Sequence, residues 1–219
     1  MFSTKDLFLK PLPEELATLL ACEKPWDVLA QLDAFVTTIE NNLQGTVHPT
    51  AVLEGDIHLA KDANIGPHVY IQGPAWIGSR AKVKHGAYLR GGVVLAEGAE
   101  VGAKTEIKRS LFLQGAKAAH LNYVGDSVLG SNVNLGAGVK LANFKTDGSN
   151  IKINGEDTGL RKLGGLLGDS VSIGCNAVTV PGTVIGTQST VYNCAMVRGV
   201  IPAHSIVKLK QTIELVTKR

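Results

Sequence analysis

The sequence predicts a mainly β protein, a parallel β-helix of hexapeptide repeats preceded by a short α-helical segment. Two observations lead there. Aliphatic residues recur every six positions at Val47, Leu53, Leu59, Ile65, Ile71, Ile77, Val83, Leu89, Leu95, Val101, Ile107 and Leu113. Four positions after each comes a small or aliphatic residue, as in Ala51, Ala63, Val69, Ala75 and Ala87. A helix of period 3.6 cannot hold a strict six-residue step on one face, whereas short strands joined by tight turns can. The period returns in a new register at Leu129 and Leu135, then at Leu167, Ile173, Thr179, Ile185 and Val191. Glycine directly follows many of these positions (Gly66, Gly78, Gly102, Gly136, Gly174). Such repeats bury their apolar residues only by stacking.

Residues 1–44 read as a helical cap. Pro13 with Glu14 and Glu15 is a helix start, and Leu16, Leu19 and Leu20 form an apolar face. Pro25 opens a second helix with Val28, Leu29, Leu32, Phe35, Val36 and Ile39 at three- and four-residue steps. These stripes are expected to cover the first coil or a neighbouring subunit. The β-helix is expected over 45–204, interrupted by a loop insertion at 144–166, with a tail at 205–219. A loop of that length inside a solenoid is usually functional or disordered.

Composition narrows the function. The chain has 219 residues and a formal charge of +3, without a Lys/Arg run interleaved with aromatics, so a nucleic-acid partner is not expected. No run approaches the roughly 20 apolar residues of a membrane span, and the first residues lack a secretory pattern, so a cytoplasmic protein is expected. Cys22, Cys175 and Cys194 have no zinc-type spacing and are expected to be reduced, small buried hydrophobes; no metal is expected.

The chemistry centres on Lys117-Ala-Ala-His120-Leu-Asn-Tyr123-Val-Gly-Asp126. His120 follows Ala119 in the place just after an aliphatic position, where the six-step fails, since Gly125 to Val128 supply only four residues before Leu129. Asn122, Tyr123, Asp126 and Asn134 are close in sequence. A histidine oriented by hydrogen-bond acceptors is the usual general base near neutral pH. His48, His58, His68, His85 and His204 do not recur at 18 and read as surface or turn residues. Without a Gly-x-Ser-x-Gly elbow, direct attack is simpler than a covalent acyl-enzyme.

The hexads, the segment around His120 and its continuation Gly130-Ser-Asn-Val-Asn134-Leu-Gly-Ala-Gly resemble the acetyltransferase domain of bacterial bifunctional glucosamine-1-phosphate acetyltransferase / N-acetylglucosamine-1-phosphate uridyltransferase. Thr158-Gly-Leu-Arg-Lys-Leu-Gly-Gly165 is similar to archaeal sugar-1-phosphate nucleotidylyltransferases with an acetyltransferase domain. The resemblance implies a left-handed coil of three hexads, a homotrimer, and acetyl-CoA as co-substrate. It implies His120 as catalytic base; Arg90, Lys108, Tyr123, Asn134 and Lys152 as sugar-phosphate contacts; Asn143 and Phe144 near the acetyl group; and Ala137, Cys175, Asn193 and Lys210 along coenzyme A. Cys175 stands where the bacterial enzymes carry serine, and Lys210 where they carry arginine. With three hexads per coil, Arg90 and Lys108, 18 apart, stack in adjacent coils; unrelieved like charges there would favour a bound phosphate.

No glycine occurs in residues 1–44, where the nucleotidyltransferase half would place its glycine-rich loop, so uridylyl transfer is not expected. Acetyl transfer to the amine of an amino-sugar phosphate, glucosamine 1-phosphate first, is the expected activity. The alternatives are an acyltransferase acting on another sugar nucleotide and a non-catalytic binding or trimerisation module.

Overall fold

The computed structural model describes residues 2–218; residues 1 and 219, the outer ends of the two expected terminal segments, lie outside them. Three faces of short parallel strands wind into a β-helix of the left-handed hexapeptide type with about nine turns. Face one runs from Thr46–Val47 through Lys82–Val83, Lys117–His120 and Asn134–Leu135 to Ile206–Val207. Face two holds Val52–Glu54, Tyr70–Gln72, then Tyr88 to Arg90, Glu106 to Lys108, Tyr123–Gly125 and Lys140–Leu141. Face three includes Ile57–Leu59, Ala75–Ile77, Val128–Leu129 and Gly165–Leu167. The strands Tyr88–Leu95 and Glu106–Phe112 run unbroken from face two into face three.

Each coil sends one side chain inward from each face, aliphatic at most steps. Val83, Leu89 and Leu95 are such a set, all buried, and stacked sets make one continuous core. The third residue after the inward position on faces one and three turns the corner in the left-handed region, for example Arg80, Lys104, Leu121, Asn132 and Asn176. A non-glycine residue there costs roughly 1–2 kcal/mol, which the stacked ladder holds in place.

The register corrects the sequence reading at one step. Phe112, not Leu113, pairs with Leu95 and Leu129 and points inward. The first break therefore falls between Lys108 and Ser110, where one residue is missing relative to the coil above. Leu113 is buried, but in a second cluster outside the coil. The inward residue before His120 is Ala118, which pairs with Val101 and Leu135. His120 is thus the second residue after the core position, not the first.

The N-terminal residues form a capped turn Thr4–Leu7, a 3-10 helix Glu14–Leu20 and an α-helix Val28–Val36. They neither cap the first coil nor wait for a neighbour: Leu7, Leu16, Leu19, Leu29 and Leu32 pack along the outside of face three, on Val94, Leu111, Val128, Leu166 and Val184. Full burial of each such leucine contributes about 2 kcal/mol. Trp76 extends the same contact, with Phe35 edge-on at 5.6 Å and His58 stacked at 3.7 Å. The terminus is pinned where Leu9 N–H donates to Asp169 Oδ2 at 3.0 Å. Asn42–Leu43, inside the range expected to be helical, is already a face-three strand, and Ile206–Val207 lies within the expected tail.

The insertion leaves face two after Leu141 and re-enters face three at Gly165. It is an ordered hairpin, Lys152–Ile153 against Glu156–Asp157. Ile151, Ile153 and Leu163 bury themselves in the cluster under the N-terminal helices. An antiparallel bridge between Phe144 and Lys162 closes its neck, with Leu163 N–H donating to Asn143 C=O at 2.9 Å. Gly164 fits the re-entry because a Cβ there would collide with Ser127 Oγ and the Gly125 carbonyl.

Candidate functional site

Face two is flanked by two corners, and the expected site residues divide between them. At the corner joining faces one and two, His120 pairs with Ala103 above. Below it Gly138 N–H donates to His120 C=O, Asn176 N–H to Ala137 C=O, and Cys194 N–H to Cys175 C=O. His120, Ala137, Cys175 and Asn193 therefore occupy one corner position in four successive coils. At about 4.8 Å per coil the column spans about 14 Å. Cys175 N–H is capped by Asn193 Oδ1 at 2.9 Å.

His120 is exposed, and its backbone N–H donates to Asn122 Oδ1 at 3.0 Å. Asn122 is buried; its Nδ2 donates to Gly136 C=O at 2.7 Å and its own N–H to Thr105 Oγ1 at 3.3 Å. It stitches three coils together and fixes the backbone beneath His120. Leu121, at φ +52°, is 61% exposed and projects beside it.

The exposed corner also explains the cysteines. Cys175 and Cys194 are exposed rather than buried, because both are corner residues outside the core positions. The histidines fit the surface or turn reading: His68 and His85 are both exposed and, 17 apart, meet in adjacent coils at 5.6 Å, since both occupy this turning corner.

At the other corner a chain of polar contacts is assembled that sequence spacing did not show. Asp126 is 1% exposed and accepts from Arg109 Nη1 at 3.1 Å and from Asn143 Nδ2 at 2.5 Å. Arg109 also forks onto Asp33 of the N-terminal helix, Nε to Oδ1 at 2.8 Å and Nη2 to Oδ2 at 2.5 Å. Asn143 Oδ1 accepts from Tyr123 Oη at 3.4 Å. Burial pushes the Tyr123 phenol above its ordinary range, so it remains a neutral donor. The only sequence signal was the short step after Ile107 and again after Val124, which marks Arg109 and Asp126 as corner residues.

Arg90 and Lys108 are register partners on face two, as the 18-residue spacing implies. Their charges are not unrelieved, however: Arg90 Nη1 donates to Glu106 Oε1 at 2.7 Å. Among the described residues Lys108 has no ion-pair partner. Asn134 lies exposed on face one, away from Arg90 and Tyr123 within one chain. Lys152 lies on the hairpin, in a cleft with Lys145 and Arg198, and Lys210 lies in the exposed terminal stretch. The neighbouring Leu209 and Gln211 line a shallow cleft with Tyr192 and Asn193.

A parallel coil of hexads, with His120 heading an exposed corner column and a polar corner on the other side of face two, makes this a hexapeptide-repeat protein of the left-handed β-helix class. Its homologues are GlmU-type bifunctional proteins, which it matches over their C-terminal acetyltransferase part. It is 36% identical over 182 residues to the bifunctional sugar-1-phosphate nucleotidylyltransferase/acetyltransferase of Sulfurisphaera tokodaii, covering 80% of this chain and 45% of that protein. It is 33% identical over 199 residues to the bifunctional protein GlmU of Methanococcus aeolicus, covering 90% and 48%. The chain thus spans about half the length of the curated relatives it matches. A family model described as the GMPPB C-terminal domain matches residues 71–161. Among solved structures, the UDP-N-acetylglucosamine acyltransferase of Francisella novicida superposes with a TM-score of 0.49 at 14% identity, covering 72% of this chain and 67% of that one.

Proposed function

We propose that this chain transfers acetyl from acetyl-CoA to the amine of an amino-sugar phosphate, with glucosamine 1-phosphate the first acceptor to test. The observation that carries the reading is the column formed by His120, Ala137, Cys175 and Asn193. It offers an exposed corner edge four coils long for an extended pantetheine arm, with the histidine at its end. Kinship with the acetyltransferase part of bifunctional sugar-phosphate enzymes supports the same chemistry.

In this mechanism the acceptor amine attacks the thioester carbonyl, a C–N bond forms, the C–S bond breaks, and coenzyme A leaves as its thiol. His120 takes the proton lost by the amine and returns it to the departing sulfur. Tyr123, whose hydroxyl donates to Asn143, keeps its phenol oxygen to accept from a sugar hydroxyl. Lys108 receives the phosphate, with Arg90 as the weaker partner because Glu106 already occupies its guanidinium. Holding both substrates in place supplies much of the remaining acceleration.

Thiol release from acetyl-CoA across a panel of amino-sugar phosphates and nucleotide-linked amino sugars tests the reading. Turnover with at least one acceptor is the expected outcome; no thiol release with any of them leaves the β-helix as a binding or trimerisation module. Lys108→Ala should raise KM for a phosphorylated acceptor more than Arg90→Ala, with kcat less affected, because a phosphate contact serves ground and transition states alike. Equal KM effects would return Arg90 to the clamp. A homotrimer with sites shared between neighbours is part of the same proposal, since Asn134 on face one can join Lys108 and Tyr123 only across chains.

A further inference from the structure

Beside the insertion, three cations gather that form no ion pair among the described residues. Lys108 ends its face-two strand, Arg161 and Lys162 arrive on the return limb of the insertion, and all three line one cleft of about 600 Å³ with Phe144. Arg109 and Asp126 also border it, but they pair with each other. None of Lys108, Arg161 and Lys162 is in an ion pair among the described residues, whereas Lys24, Arg80, Lys84 and Arg90 each have a glutamate.

The cleft is preformed. Arg161 Nε donates to Gly148 C=O at 3.2 Å, and Gly148, at φ +67°, leaves the room that the guanidinium fills. Phe144 is 46% exposed, with Lys162 Nζ 5.9 Å from the ring centroid. Its ring borders a second cleft of about 540 Å³ that adds Lys145, Lys152 and Arg198 together with one acid, Asp147. A lone phosphate needs one or two cations and no aromatic surface. Three free cations beside an exposed ring, in a volume typical of small-molecule sites, match a diphosphate joined to a base.

We propose that this cleft binds a nucleoside diphosphate moiety, the base on Phe144 and the two phosphates among Lys108, Arg161 and Lys162, so that the acceptor is a nucleotide-linked amino sugar. The assignment as acceptor rests on the acyl-transfer reading, but binding does not, and is measured without coenzyme A. Coenzyme A carries a nucleotide of the same chemistry; its expected path is the other corner, along Ala137, Cys175 and Asn193.

Calorimetry on the full chain at one fixed salt concentration, with UDP, GDP, inorganic pyrophosphate and 3′,5′-ADP as probes, separates the cases. UDP or GDP is expected to bind at least tenfold tighter than pyrophosphate. Phe144→Ala should cost about 5- to 150-fold for the nucleotide, the range for one stacked base, and nothing for pyrophosphate. The double variant Arg161→Ala, Lys162→Ala should weaken both. In the unaltered chain, saturating UDP or GDP should protect Lys108 and Lys162 from reductive methylation, read by mass spectrometry, so the test stands even where a variant misfolds. Equal affinity for pyrophosphate and both nucleotides, a preference for 3′,5′-ADP that depends on Phe144, or unprotected Lys108 and Lys162 would each overturn the proposal. Failure of thiol release with intact nucleotide binding would instead overturn only the acyl-transfer reading.

Discussion

The coils before and after Ile107 follow different rules. On face two the inward residues Leu53, Ile71, Leu89 and Ile107 are 18 apart, and the pairing is in register throughout. The next two, Val124 and Leu141, follow at 17, and then the hairpin intervenes before Thr179. The missing residue always comes from the corner between faces two and three. There the upper coil has Gly91 and Gly92, both at positive φ, while the lower coils turn on Arg109 at +42° and Asp126 at +46°. A charged residue forced into that region gains nothing from packing. It is held because Arg109 and Asp126 bind each other, Asp33 and Asn143. Regularity marks the part of the solenoid that only has to stack, and irregularity marks the part held by a polar network and carrying the proposed site.

The largest effect expected from breaking this contrast is on turnover. His120→Ala should lower acetyl transfer by about 10²- to 10⁴-fold, the range for a lost general base, while an exposed side chain leaves the melting temperature nearly unchanged. Acetylation at the parental rate would remove His120 from the mechanism. Asp126→Ala should cost about 3 kcal/mol in chemical denaturation, because it strips a partner from the partly buried Arg109 and from Asn143. A loss below 1 kcal/mol would show that Asp33 alone satisfies the guanidinium.

In the regular part, Gly102→Ala should destabilise by about 2–3 kcal/mol, since its Cβ would meet the Ala119 carbonyl of the next coil and backbone cannot move aside cheaply. Gly98→Ala is a useful counterpart, having open space but a φ of +65°, so it should lose only about 1 kcal/mol. The smallest expected effect is a gain. Thr179 stands at an inward position, and among the described residues its buried Oγ1 is without a partner, so Thr179→Val should add about 1 kcal/mol and raise Tm. An unchanged Tm would mean the hydroxyl is satisfied in solution.

Much of this was legible in the residues. A strict six-step with small residues between could hardly be anything but stacked coils, and it located three faces, the hairpin's place and the stacking of Arg90 on Lys108. The column from His120 to Asn193 was within reach only through resemblance, because the 17-residue steps and the insertion disguise the common corner position. The sequence reading placed the break at His120 because Leu113 prolonged the apparent period by one false hit. Leu113 is aliphatic for another reason, to meet the helices outside. Nor could spacing reveal that Glu106 neutralises Arg90, or that Asp33 reaches a corner 76 residues away in sequence. Those are contacts between side chains of different coils, and a periodic pattern reports only which face a residue occupies.

The docking of residues 2–41 along face three has a consequence for synthesis. Leu7 C=O accepts from Asp169 N–H and Leu9 N–H donates to the Asp169 carboxylate, about 160 residues later, whereas each strand finds its partner 16 to 18 residues on in the regular coils. The solenoid can therefore assemble coil by coil as it leaves the ribosome, while the segment made ahead of it waits with its leucines uncovered until the seventh coil exists. Contacts this distant along the chain form slowly. The helix that holds Asp33 against Arg109 thus acts as a late latch, and a nascent chain stalled before Asp169 would expose the apolar surface that chaperones recognise.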